Sequence, residues 1–362
     1  MPSQFKRPVI LLGEGARGCD LSKLYDHAIP ILTSWQASDL LDNDHELYFG
    51  RPGVYGQRCA NKVLFNADLV VALGCRLSVW TIGHSGLRKD QTLVMVDVDE
   101  KELARFPAAV KHHMTVEHYL SELGSPDTLY VEWFEQCVEW RETYPWFDFS
   151  HKSKSDGCIN AYEVMHLLQP RLRPDEVIVT DMGVALAGAF QVLKVKPPQR
   201  LMTSGGLGEM GIALPAAVGA SFARGKGEVL CLHCDGGMML NLQELSTIWH
   251  HSLPVKLVVL DNDGYQMIKS TQRNLGMVYS GVSRETGISL PNFRSLAQNF
   301  GFAAQEVYRL SDLPAALDNL FSSKEPYLLQ IATDPEQVFS PKLQPIVSGG
   351  QVRSPSFEEL SP

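Results

Sequence analysis

Val229-Leu230-Cys231-Leu232-His233-Cys234-Asp235-Gly236-Gly237 and, further on, Val255-Lys256-Leu257-Val258-Val259-Leu260-Asp261-Asn262-Asp263-Gly264-Tyr265 are the stretches whose reading decides the fold. Each begins apolar at nearly every position and stops at an acid or amide close to glycine. Apolar runs without alternation read as parallel strands buried on both faces. Between them, Leu242–His250 spaces its apolar residues at three and four, as a helix packed on one side does. Strand, helix, strand is the repeating unit of an open parallel sheet.

The same pattern extends outward in two sets. Val177–Thr180 and Tyr327–Ile331 join the runs above, with helical spacing at Ala161–Leu172, Phe293–Phe300 and Leu313–Phe321. A first set comprises Val9–Leu12, Ile29–Thr33, Leu69–Leu73 and Leu93–Val98. The fold class is therefore α/β, with two doubly wound parallel-sheet domains. Residues 1–130 form a first, Rossmann-like domain and 158–335 a second. The polar, aromatic-rich stretch 131–157, ending in His151-Lys152-Ser153-Lys154-Ser155-Asp156, reads as a linker. Residues 336–362, rich in proline and carrying Ser348-Gly349-Gly350, read as a C-terminal arm.

The chain has 362 residues, enough at ~100–200 per domain for two or three cores. Its formal charge of −9, with the acids scattered, argues against nucleic acid as a partner. No apolar stretch reaches the length of a membrane span, and no signal peptide opens the chain. Seven cysteines, an odd and ordinary number, speak against a disulfide framework. A cytoplasmic protein fits these features.

Three motifs read as structure. Gly13-Glu14-Gly15-Ala16-Arg17-Gly18 satisfies the dinucleotide pattern, yet the next strand lacks the ribose-binding acid, and the first acid comes only at Asp39. A tight turn, or a site for another nucleotide, fits better than a nicotinamide site. Cys231-Leu232-His233-Cys234 lacks a second pair for zinc and lies in an apolar strand. His112-His113 and His250-His251 read as helix-surface residues, because adjacent helical positions point apart.

Asp235 and Asn262 are different. They stand 27 positions apart at the carboxyl ends of neighbouring strands, where open sheets bind ligands. Two hard oxygens and few further protein ligands suit Mg²⁺, which fills its octahedron with phosphate and water. Gly236 and Gly237 would let main-chain N–H groups approach that phosphate. Capping turns explain either half alone. The ordered combination with the glycine-rich Thr203–Gly211 segment favours a site.

At these residues the sequence resembles the thiamine-diphosphate-dependent enzymes, specifically the acetolactate synthase group. The family's Gly-Asp-Gly followed by Asn-Asn stands here as Cys234-Asp235-Gly236 and Asp261-Asn262, with the two metal-side residues kept. The resemblance implies that Asp235, Asn262 and the Gly264 carbonyl hold Mg²⁺ against the cofactor diphosphate. Gly236 and Gly237 would touch the diphosphate, and Tyr265 and Gln266 would continue the cofactor site. Ser204–Gly211 resembles the loop under the aminopyrimidine, with Gly206 in it, the Gly208 carbonyl accepting from the 4′-amino group and Met210 wedging the cofactor into its bent form. Thr180–Ala185 resembles the other diphosphate loop, with Gly183 and Val184 in contact and Ala185 where the family often has His. Met267, Lys269 and Gln272 follow the metal loop as candidate substrate contacts.

Arg7–Leu11, the Gly13–Gly18 turn, Gly50–Asn61, Leu73–Leu77 and Val96–Asp99 resemble the family's central domain. In acetolactate synthases that domain binds FAD without using its redox chemistry, and here the FAD-contacting patterns are only partly kept. The family's pyrimidine-binding domain, with its activating Glu, has no counterpart in these residues, which implies a partner subunit that supplies it. Thr271 stands where acetolactate synthases carry a Trp, pointing to an acceptor other than that of the branched-chain pathway. The expected function is the larger subunit of a split, heteromeric, Mg²⁺-dependent carboligase of the transferase class, itself associating with further copies. It would decarboxylate a 2-oxo acid such as pyruvate and ligate the activated aldehyde to a second carbonyl or acyl acceptor. A decarboxylase or lyase subunit, a catalytically silent scaffold, or a flavin or nicotinamide protein are the alternatives.

Overall fold

The computed structural model describes residues 4–83, 85–124, 129–148 and 158–342, and the backbone of two short strands at 346–348 and 351–353. Contacts divide the chain into two compact units, Met1–Trp146 with Ser340–Pro362, and Phe147–Phe339. Both are parallel-sheet α/β units, as the strand runs predict.

In the first unit, β1 (Pro8–Leu12), β2 (Ile31–Thr33), β3 (Leu69–Leu73), β4 (Thr92–Asp97) and β5 (Val110–His113) lie in the order β2-β1-β3-β4-β5, all parallel. β1 and β3 are buried at every position because helices cover both sheet faces. β5 escaped the apolar-run test. It is an exposed edge strand, and it carries His112 and His113, which sequence spacing had assigned to a helix surface. His250 does end the helix Glu244–His250, with His251 as its cap.

The expected linker is also corrected in part. Val131–Thr143 is a helix whose Trp133 and Cys137 are buried in the first unit's core. Trp133 Nε1 donates to the Pro8 carbonyl at 2.9 Å and its ring meets Trp140 edge-on. The aromatic residues that made this stretch look irregular are its anchors. The run His151–Asp156 lies outside the described residues.

The second unit holds β6 (Val177–Thr180), β7 (Arg200–Met202), β8 (Val229–Cys234), β9 (Val255–Asp261), β10 (Ala303–Val307) and β11 (Tyr327–Ala332) in the order β10-β11-β9-β8-β6-β7, all parallel. β7 and β10, both missed from sequence, are the two edges, where short or polar strands suffice. The Ala161–Leu168 helix opens on a capping box formed by Asn160 and Glu163 and tightens to a 3-10 turn at Gln169–Arg171. The helix Val184–Val192 is buried at all nine positions, so no polar stripe betrays its period.

Val255, Leu257, Val259, Val229 and Cys231 meet Leu245, Ile248 and Phe293 in one core. Strand residues three apart face opposite sides, so Cys231 and Cys234 share no ligand, and every cysteine is free. No described helix is long and apolar enough to cross a membrane. The expected extended arm contains an antiparallel pair, β12 (Ile346–Ser348) and β13 (Gln351–Arg353), separated in sequence by Gly349 and Gly350.

Replacing Trp133 with Ala should destabilise the first unit by about 3–5 kcal/mol, whereas a linker residue would be neutral. Urea unfolding followed by far-ultraviolet circular dichroism measures the difference.

Candidate functional site

The strand order of the second sheet reverses between β6 and β8, because the chain leaves β6 for β7 on one side and later returns to β8 on the other. Carboxyl ends at such a reversal form the crevice in which open sheets bind ligands. Asp181 follows β6, Asp235 follows β8, and Asn262 follows β9.

Asp235 is fully buried and organises the crevice. Its Oδ1 accepts from the Gly236 amide at 2.7 Å, and its Oδ2 accepts from the amides of Asn262 and Gly264, each at 2.9 Å. One carboxylate thus ties the β8 loop to the β9 loop. Burial pushes its pKa well above the usual carboxylate range; the Gly264 and Gly236 amides pull the other way, and the charge of Asp261 adds to the rise. The side-chain Oδ1 of Asn262, also buried, has no hydrogen-bond partner. Gly264 has φ +142°, and a Cβ there would fall 2.0 Å from the Val282 carbonyl oxygen. The Tyr265 amide bonds that same oxygen at 2.9 Å, pinning the β9 loop from behind.

Gly236 and Gly237 are squeezed from two sides. A Cβ on Gly237 would lie 1.9 Å from Asp181 Oδ2, and one on Gly236 would lie 2.3 Å from the Tyr265 ring. Asp181, fully buried, accepts from the amide of Ala213 at 3.4 Å, where the helix Ala213–Ala223 begins. His233 Nδ1 stands 3.4 Å from its other oxygen, and burial holds the imidazole pKa below its ordinary value. Asp181 and His233 were not singled out from sequence. The available signal was the position of Asp181 at a strand's carboxyl end, equivalent to that of Asp235.

Above these groups opens a half-open cavity lined from the β6, β8 and β9 ends. Its polar side is Gly183, Gly236, Gly237, Asn262, Gly264 and Gln266; its apolar side is Met182, Val184, Met210, Tyr265, Met267 and Ile268. Gln266 is buried, donates to the Gln337 carbonyl at 2.8 Å and leaves its Oε1 unpartnered.

Two family models match this chain: the central domain of thiamine pyrophosphate enzymes over residues 3–123, and their C-terminal thiamine-pyrophosphate-binding domain over residues 181–331. The chain belongs to the thiamine pyrophosphate enzymes. Acetolactate synthase isozyme 2 large subunit of Escherichia coli K12 is 30% identical over 335 residues, covering 92% of this chain and 59% of that protein. A probable acetolactate synthase large subunit of Methanocaldococcus jannaschii is 28% identical over 390 residues, covering 99% of this chain and 64% of its own length. Isozyme 1 of E. coli is 28% identical, with 94% and 61% covered. The chain spans about three fifths of the length of the curated relatives it matches.

Within this chain, the residues expected from sequence divide into two groups. Gly183, Val184, Met210, Gly236, Gly237, Asn262, Gly264, Tyr265, Gln266 and Met267 line one cavity, with Asp235 beneath them. Gly206 and Gly208 sit on the adjoining loop, where Leu207 is 94% exposed and Ser204 bonds Glu209. Lys269 and Gln272 are held elsewhere: Lys269 pairs with Glu336 and stands over the Tyr279 ring, while Gln272 exchanges two hydrogen bonds with Ser280. Neither of these two side chains is among those lining the cavity. Among the described residues no cluster of three His, Cys, Asp or Glu could hold a metal ion. The donors present here are oxygens, the Asp235 carboxylate, the Asn262 amide oxygen and main-chain carbonyls, a set whose chemistry suits Mg²⁺ and not zinc.

A Gly237→Ala change should displace Asp181 or the β8 loop and cost about 1–3 kcal/mol of stability before any ligand is added. Thermal unfolding of the ligand-free protein checks this.

Proposed function

We propose that this chain binds thiamine diphosphate with Mg²⁺ at the β6/β8 reversal, and serves as the larger subunit of a cytoplasmic carboligase acting on 2-oxo acids. The observation that carries the reading is Asp235 clamping the Asn262 and Gly264 amides beside the unpartnered Asn262 Oδ1. A carboxylate so deeply buried keeps its charge at neutral pH when a cation joins it, and a lone amide oxygen beside it is the natural second ligand.

In this reading Asp235, Asn262 Oδ1 and the Gly264 carbonyl hold the metal. The main chain at Gly236, Gly237, Gly183 and Val184 approaches the diphosphate, with the Val184–Val192 helix presenting its amino end. Gly206, Gly208 and Met210 flank the aminopyrimidine, while Tyr265, Gln266 and Met267 close the opposite wall. Bound thiamine diphosphate supplies the electron sink that a 2-oxo acid needs to lose CO₂. The wall's methionines, valine and isoleucine exclude water from that centre.

Among the described residues no carboxylate, imidazole, lysine or arginine side chain lines the cavity. In this reading a pyrimidine-binding domain on a partner subunit supplies the activating Glu, with pyruvate as the favoured donor and a second carbonyl or acyl compound as acceptor. Further association between copies of this chain belongs to the same reading.

Isothermal titration should show thiamine diphosphate binding only with Mg²⁺. Asp235→Asn and Asn262→Leu should each weaken it ~100-fold, equivalent to about 2.7 kcal/mol. No Mg²⁺-dependent binding, alone or with the partner, would refute the cofactor assignment; CO₂ release without a ligated product would reassign the complex as a decarboxylase.

A pH dependence follows from Asp235. Its folded-state pKa lies above its unfolded value, so without metal its contribution favours folding at low pH and is lost as pH rises through the folded pKa. Mg²⁺ binds the ionised form. The rise in melting temperature on adding Mg²⁺ and thiamine diphosphate should therefore grow with pH and fade in acid.

A further inference from the structure

We propose that the corresponding reversal point of the first sheet is closed by the chain itself and takes no flavin or nicotinamide dinucleotide. The sheet reverses between β1 and β3, so the Gly13–Gly18 turn occupies the position where a dinucleotide pyrophosphate would sit. Such a site needs free N–H groups, glycine surfaces turned to the ligand, and a helix amino end behind them. At Gly13, Gly15 and the single helical turns behind them these requirements are not met.

The amides are engaged. Gly13 donates to the Leu73 carbonyl at 2.9 Å, Gly15 to that of Gly74 at 3.0 Å, Ala16 to Gly13 and Arg17 to Glu14. The surfaces of Gly13, Gly15 and Gly74 face another backbone, while that of Gly18 at the end of the turn opens outward. A Cβ on Gly13 would fall 2.1 Å from the Gly74 oxygen, one on Gly15 2.8 Å from the Gly74 Cα, and one on Gly74 2.6 Å from the Gly15 Cα. These three glycines let two turns meet without side chains between them. The helical segments that follow, Glu14–Ala16 and Ser22–Tyr25, are single turns and present little dipole.

The side chains complete the closure. The nearest acid to a ribose-binding position, Asp39, is buried and takes Arg17 Nη2 at 2.7 Å, while Arg17 Nε bonds Glu14 at 2.7 Å. Trp35 follows β2 and Trp80 follows β3, the two neighbours of β1. Their rings stack at 5.9 Å, so they bridge the end of the strand between them. Tyr55 lies 6.5 Å from each ring, and Lys342 stands 5.1 Å above it. FAD, which the family resemblance raises, would meet at this edge a turn whose Gly13, Gly15, Ala16 and Arg17 amides are already bonded within the chain.

The test uses the full chain as purified. Its absorption spectrum should show no flavin band, and titrating FAD or NADH should give no saturable fluorescence change up to ~1 mM, an affinity beyond physiological use. One bound flavin per chain, or saturable quenching, would overturn the proposal. Gly15→Ala provides a second measurement. In dinucleotide-free protein it should lower the urea midpoint of the first unit, because the methyl meets Gly74. An unchanged midpoint would mean that the turn faces open space, and would overturn the closure.

Discussion

The carboxylate of Asp235 accepts three main-chain N–H bonds while wholly removed from water, and two loops depend on that arrangement. Burying an anion costs several kcal/mol even after relaxation, so amides must surround it for the fold to tolerate it. The parallel sheet makes the amides available. Register between β8 and β9 sets Cys234 beside Leu260, so the residues just past each strand emerge together. The β9 loop then turns back through Gly264, whose φ of +142° no side chain accepts readily. Remove the buried acid and the two loops lose the tie between them.

Much of this was legible before any coordinates. Leu69–Leu73 and Val177–Thr180 were bounded correctly because both are buried on both faces, which leaves an unbroken apolar run. Edges fared worse: Ala303–Val307 and Val110–His113 need little apolar surface and so carry little signal. The Val184–Val192 helix failed for the opposite reason, being apolar all round. Asp235, Asn262 and Gly264 stood out through strand-end position and glycine spacing. Asp181 carried the same strand-end signal and was overlooked in favour of the loop behind it. Nothing local could reveal that Lys269 turns to Glu336, since its partner lies 67 residues away.

The two units use one architecture for opposite ends. Both are doubly wound sheets that reverse direction beside their first strand. In the second, strand ends carry an acid and an amide, and glycines leave room over them. In the first, glycines let backbone meet backbone, and tryptophans fill what remains. A shared fold therefore specifies where a site could be, and the side chains at the strand ends decide whether one exists.

The outermost strand of the first sheet carries one more consequence. β5 reads Val110-Lys111-His112-His113 and is solvent-facing along nearly its whole length. An unprotected edge is a template on which another chain's strand can pair and grow into an aggregate. Lysine and two imidazoles at that edge make such addition costly, since an incoming strand would have to strip water from a cation. The histidine pair that spacing suggested was mere helix surface is thus part of what keeps the sheet at five strands.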